Sequence, residues 1–230
     1  MPDAEILPEV NASERLETAA SDSAAPARKR PKPGERRVQI LQALAAMLEQ
    51  PGAERITTAA LAARLDVSEA ALYRHFASKA QMFEALIEFI EESVFTLINQ
   101  MTERAAGDAA NASSDTPVDA RLAGRVISML IQFAEKNPGM TRVMVGDALV
   151  FENERLQARM NQFFDKIESI LKNSLRDVAA HNGSGSPTVD AQVSAAVLTA
   201  FVVGRMQRFA RSGFKRLPSE HLDACLAQML

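Results

Sequence analysis

Residues 57–79 read TTAALAARLDVSEAALYRHFASK, and the fold turns on how this stretch divides. Leu61, Leu65, Val67, Leu72 and Phe76 fall on one side of two short helical segments, with small Ala62 and Ala63 where a close crossing needs them. The first helix is expected over residues 58–65, with Thr57 or Thr58 as N-cap, and the turn at Asp66 and Val67. Ser68 caps the second helix, and Glu69 in its first turn suits the helix dipole. The other face of that helix shows Ser68, Ala70, Ala71, Tyr73, Arg74 and His75, with Lys79 just beyond. Short side chains at one end and phosphate-seeking ones at the other suit a recognition helix, which meets base edges and grips the backbone beside them. An ordinary helical hairpin with a solvated face would give the same periodicity. It would not put the only tyrosine of the chain, Tyr73, outward beside Arg74 and His75.

The composition of the whole chain agrees with a helical protein. It has 230 residues, 47% hydrophobic and only 5% aromatic, dominated by good helix formers. No alternating run of β-branched residues occurs, so the expected class is all-α. The single cysteine, Cys225, can form no internal disulfide, and with no signal-peptide pattern a cytoplasmic location is expected. The longest apolar stretch, residues 193–203, is about half of a membrane span, so no span is expected.

Charge is unevenly spread although the net is −3. Residues 1–23 carry six carboxylates and one arginine; residues 24–79 carry ten Lys/Arg and five carboxylates; the remainder carries fifteen and eighteen. The positive charge therefore gathers in and before the helix-turn-helix, the footprint of a small DNA-reading head on an acidic body. Residues 1–33 read as a disordered tail. Its basic arm, Arg28-Lys29-Arg30-Pro31-Lys32, suits either DNA phosphates or plain solubility.

Residues 34–79 are expected to form the head and residues 80–230 a helical effector and dimerisation body. Helix 1 is expected over residues 35–49, stopped by Pro51 and Gly52. Helix 4 should run over residues 79–104, opened by a Ser78/Gln81 capping box. Its core stripe is Phe83, Leu86, Ile87, Ile90, Val94, Leu97, Ile98 and Met101, with Phe89 and Phe95 each about 120° off it. A polar loop is expected at 107–116, then helices at 118–136, 140–151, 153–180, 189–211 and 219–229. The small residues of the last long helix, Ala195, Ala196, Ala200 and Gly204, would allow a four-helix bundle with a second copy.

Neither a phosphate-cradling glycine loop nor a nucleophile motif is present in the sequence. His75, His181 and His221 lack metal-ligand spacing. Catalysis, a metal site and a cofactor are therefore not expected.

The head motif, a long connecting helix and an all-α body resemble the TetR family of DNA-binding regulators. LYRHFASKAQMFEALIEFIEES, EKNPGMTRVMVGDALVFENERLQARMNQFFDKIE and RFARSGFKRLP are similar to the nucleoid-occlusion branch of that family. These blocks spread over nearly the whole chain beyond residue 35. The resemblance implies a homodimer on palindromic chromosomal sites, associated with the nucleoid, that acts on the division protein FtsZ and inhibits ring assembly. It implies a DNA face of Thr57, Ser68, Ala70, Ala71, Tyr73, Arg74 and Lys79. It also implies a docking face for FtsZ at Phe89, Met129, Lys136 and Asn137. Asp66 stands where the family has a turn glycine, and Leu97 and Lys136 where it has arginines. The alternative is a ligand-responsive TetR-type transcriptional repressor, with a small-molecule pocket in the body.

Overall fold

The computed structural model describes residues 34–50, 56–111 and 118–230, and among these every regular element is a helix. The expected tail with its basic arm, Pro51 and Gly52, and residues 112–117 of the expected polar loop lie outside the described residues. The helices are α1 (Glu35–Leu48), α2 (Thr58–Arg64), α3 (Glu69–Tyr73), α4 (Lys79–Asn111), α5 (Val118–Lys136), α6 (Pro138–Met144), α7 (Glu154–His181), α8 (Pro187–Arg211) and α9 (Leu222–Met229).

α4 is the spine of the molecule. Phe83, Leu86, Ile87, Ile90, Val94 and Ile98 are each buried to 1% exposure or less. At about 1.5–3 kcal/mol per fully buried side chain of this size, that stripe anchors the body. Ser78 accepts the Gln81 N–H at 3.2 Å, and the Gln81 side chain reaches back to the Ala77 N–H at 2.8 Å. The capping box is thus present with its return bond displaced by one residue. The helix continues to Asn111 rather than stopping near 104, because a lone Gly107 costs a helix only about 1 kcal/mol.

Two other boundaries differ from expectation. Residues 138–149 do not form one helix from 140 to 151. Pro138, with its missing N–H, starts α6 at once, and Gly146 at φ 83° ends the segment ahead of a 3-10 turn, Asp147–Leu149. α9 begins at Leu222 because His221 takes φ 54°, which breaks helical continuity from 219.

α7 and α8 pack on each other more extensively than any other pair, and α5 lies against both. Phe163 of α7 sits edge-on to Phe95 of α4 at 5.5 Å and to Phe164 at 5.1 Å. Phe95 therefore lies off the main stripe because it has a second neighbour, α7. α8 starts two residues earlier than expected and its apolar stretch is longer than 193–203: an 18-residue window within Pro187–Arg211 has mean hydropathy 1.3, enough by length and composition to cross a membrane. Instead, Ala191, Ala195, Leu198, Val202 and Met206 pack into the protein core. Its other face leaves Val189, Val193 and Val197 exposed by 60%, 58% and 52%, one stripe at a spacing of four.

The head meets the body along two seams. α1 crosses α6, where a Cβ on Gly139 would lie 2.1 Å from the Ala45 carbonyl oxygen. Arg142 of α6 donates to the Gln50 carbonyl at 3.2 Å just beyond α1. The second is ionic: Lys79, the last residue of the head, reaches Glu152 just ahead of α7, and the row of ion pairs continues inside the body between α4 and α7. Lys79 pairs with Glu152, Arg155 with Glu84, and Arg159 grips both oxygens of Glu91 at 3.3 and 2.6 Å. The Glu91 hydrogen bond pushes the Arg159 guanidinium further above its ordinary range.

Candidate nucleic-acid interface and partner face

α2 and α3 are held at their crossing by an apolar wedge, three local hydrogen-bonding devices and one long-range one. Leu61, Ala62, Leu72 and Phe76 are buried, and Leu65 and Val67 pack against them half-buried. Thr57 Oγ1 accepts the Ala60 N–H at 3.1 Å, and Ser68 Oγ accepts the Ala71 N–H at 3.3 Å, so both expected N-caps form. Each is worth about 1 kcal/mol. The turn closes with Val67 N–H on the Ala62 carbonyl at 3.0 Å and Asp66 N–H on Ala63 at 3.2 Å. This crossed pair requires a left-handed residue between the helices, and Asp66 supplies it at φ 52°. Aspartate is one of the few L-residues that visit this region, which explains how it stands in a glycine position.

A fourth device was not visible in the sequence. Arg37 of α1 donates to the His75 carbonyl at 2.7 Å and lies 4.2 Å over the Phe76 ring. It fixes the C-terminal end of α3 from 38 residues away, and local periodicity carries no signal for such a bond.

The outward surface of this motif brings together Ser68, Ala70, Tyr73, Arg74 and His75, all exposed, with Ala71 half-buried at their edge. Tyr73 is 45% exposed, too open for a core aromatic. The Arg74 side chain makes no hydrogen bond or ion pair with the described residues, so its charge is free to meet an anion. Thr57 is exposed, with its hydroxyl committed to the cap. Lys79 corrects the expectation of a free phosphate-seeking cation. Its ammonium is paired with Glu152 of the body and sits 5.7 Å from the Phe83 ring centroid. Neutralised by a body carboxylate, it is not part of the open face.

The body residues divide in the same way. Phe89 and Lys136 are half-buried and present part of their surface. Met129 is only 8% exposed and Asn137 2%, so neither offers a side chain to a partner. Asn137 Nδ2 instead donates to the Phe133 carbonyl at 2.8 Å, and Thr141 Oγ1 donates to Ala134 at 2.7 Å. These bonds satisfy the last carbonyls of α5, so Asn137 is a structural joint between α5 and α6. Among the described residues no cluster of three His, Cys, Asp or Glu could hold a metal ion.

Comparison with known proteins places this architecture. Residues 40–86 match the model of bacterial regulatory proteins of the tetR family, and residues 119–229 match an SlmA-like, tetracyclin repressor-like C-terminal domain. The nucleoid occlusion factor SlmA of Photobacterium profundum is 50% identical over 189 residues, covering 82% of this chain and 90% of its own. That of Vibrio cholerae is 51% identical over the same shares. Among solved structures, the transcriptional regulator FadR of Bacillus subtilis, in complex with stearoyl-CoA, superposes with TM-score 0.62 at 16% identity over 83% of this chain and 96% of its own. The Bacillus halodurans FadR gives 0.64 at 13% identity, over 87% and 96%. The FadR likenesses establish the fold. Identity of about one half across both head and body establishes more: the chain belongs to the SlmA family of nucleoid occlusion factors, DNA-binding helix-turn-helix proteins of the TetR type.

Proposed function

We propose that this protein binds palindromic chromosomal sites as a homodimer and, from its body, engages FtsZ and antagonises ring assembly over the nucleoid in the cytoplasm. The observation that carries the reading is the 50% identity to a nucleoid occlusion factor over a segment that includes the body as well as the head. A shared DNA-binding head alone would indicate only TetR type; a shared body indicates a shared effector. We divide the chain at the start of α4, with residues 34–79 as the reading head and 80–230 as the effector.

Ser68, Ala70, Ala71, Tyr73, Arg74 and His75 form the DNA face in this reading, with Phe89 and Lys136 on the partner face. The second copy covers Val189, Val193 and Val197 of α8. A stripe of three valines, each more than half exposed, is costly in water and belongs at an interface. The repressor reading is not favoured. The body interior is filled by Phe83, Met140, Phe163, Leu171 and their neighbours, all nearly inaccessible, and the relatives at half identity are occlusion factors.

Sedimentation of FtsZ polymer with this protein, with and without a palindromic duplex, tests the proposal. Loss of pelletable polymer with protein plus duplex is expected, and an unchanged pellet refutes it. Phe89→Ala is expected to weaken FtsZ binding about tenfold, the scale of losing a half-buried aromatic anchor, while DNA affinity stays unchanged. Equal loss of both affinities would rule out a separate partner face.

A further inference from the structure

Beside the DNA face stands an exposed carboxylate, Glu69, where a negative charge opposes phosphate binding. Its surroundings give a reason. Thr58 Oγ1 and Glu69 Oε2 are 2.6 Å apart, and Tyr73 Oη lies 3.4 Å from the same Thr58 oxygen. A separation of 2.6 Å between two oxygens needs a proton between them. The carboxylate has none to give, so the Thr58 proton points to Glu69. The Thr58 oxygen is then left with lone pairs only, and Tyr73 must donate to it. The order of donation is Tyr73 to Thr58 to Glu69, and it spends the phenolic proton inside the protein.

We infer that Glu69 is a specificity-determining positioning residue: acting through Thr58, it holds the Tyr73 hydroxyl as an acceptor. Phosphate oxygens only accept, so an engaged Tyr73 cannot bond one without leaving Thr58. An exocyclic amine of adenine or cytosine donates in the major groove and matches the tyrosine as it stands. The relay therefore discounts contacts that every duplex offers and leaves intact those that depend on the base. The Tyr73 link is long, so its discount is modest. The inference rests on the DNA-binding reading of the head.

Fluorescence anisotropy with a palindromic and a scrambled duplex, at matched salt, tests it on the full chain. Thr58→Val keeps the shape and removes the relay, and Thr57 still caps α2. Freed to donate, Tyr73 should tighten binding to scrambled DNA about threefold per head, the worth of one modest hydrogen bond, and lower the ratio of specific to scrambled affinity. Adding Tyr73→Phe to that variant should abolish the gain. Glu69→Gln keeps an acceptor for Thr58 and removes the charge. Both affinities should rise while their ratio stays within about twofold of wild type, whereas Glu69→Ala should lower the ratio. Thermal melts of each variant check that the head is folded. Wild type that binds neither duplex would overturn the DNA-binding reading itself. Wild-type binding with a Thr58→Val ratio equal to wild type, or a gain that survives Tyr73→Phe, would overturn the relay and leave the head reading standing.

Discussion

Gly139→Ala sets two physical effects against each other. Gly139 lies inside α6, where alanine is the better helix former by about 1 kcal/mol. Judged from the helix alone, the substitution stabilises. The added Cβ, however, would lie 2.1 Å from the Ala45 carbonyl oxygen, 3.0 Å from its carbon and 3.2 Å from Glu49 Cγ. The first two neighbours are backbone and cannot rotate away. A carbon–oxygen contact relaxes at about 3.3 Å, so α1 and α6 must separate by about 1 Å. Overpacking of this kind costs about 1–3 kcal/mol, and a clash with backbone belongs to the upper part of that range. The steric term wins, leaving a net loss of about 1–2 kcal/mol and a fall in Tm of about 5 °C for a chain of this length. Because α1 carries the head, the shift also moves the recognition surface relative to the body. Affinity for a palindrome should drop about tenfold, the scale of one misplaced base contact, and scrambled-duplex affinity should barely change. Differential scanning calorimetry at fixed protein concentration and anisotropy on the two duplexes measure both outcomes. A raised Tm with unaltered palindrome affinity would mean that helix propensity governs position 139, and the close α1–α6 seam would be refuted.

Arg74→Ala should weaken binding to every duplex and reduce the slope of log affinity against log salt by about one per head, about two for the dimer; Lys79→Ala, whose cation is occupied by Glu152, should leave that slope unchanged. Val193→Glu places a charge in the middle of the exposed valine stripe of α8 and should convert the dimer to monomer in sedimentation velocity, with the monomer still helical by circular dichroism.

The head was legible because its determinants are local. Thr57, Ser68 and Asp66 each act on backbone within three residues, so spacing and side-chain type were enough. The core stripe of α4 was legible for a similar reason: seven buried positions recur at helical spacing. What could not be read depends on partners far along the chain. Lys79 follows a recognition helix and carries the right charge for a phosphate, yet Glu152 is 73 residues away and takes it. Met129 and Asn137 carry no local mark of burial; it comes from the packing of the folded body around α5. Gly139 falls in the gap between the helices expected at 118–136 and 140–151. Its role is steric, and only the crossing of α1 reveals it.

These long-range contacts also decide how DNA and partner are coupled in the proposed function. α4 runs unbroken for 33 residues from the head into the body; Lys79 pairs with Glu152 just ahead of α7, and Glu84 and Glu91 pair with Arg155 and Arg159 on α7. α1 is pressed on Gly139 at backbone contact, two residues from the Asn137 joint and three from Lys136. A glycine held against a carbonyl has no slack in the direction of approach, and a clamped helix has no hinge. These contacts oppose a hinge between head and body. A ligand with equal affinity for two arrangements shifts neither, and coupling through shape requires two arrangements to choose between. A joint this closely packed disfavours a second one. In the proposed function, DNA would then act on FtsZ engagement by gathering copies: two body faces per dimer, held together on a palindrome, would raise the effective concentration presented to a polymer. Coupling of that kind depends on the number and spacing of sites along the duplex and is absent from a single head–body unit.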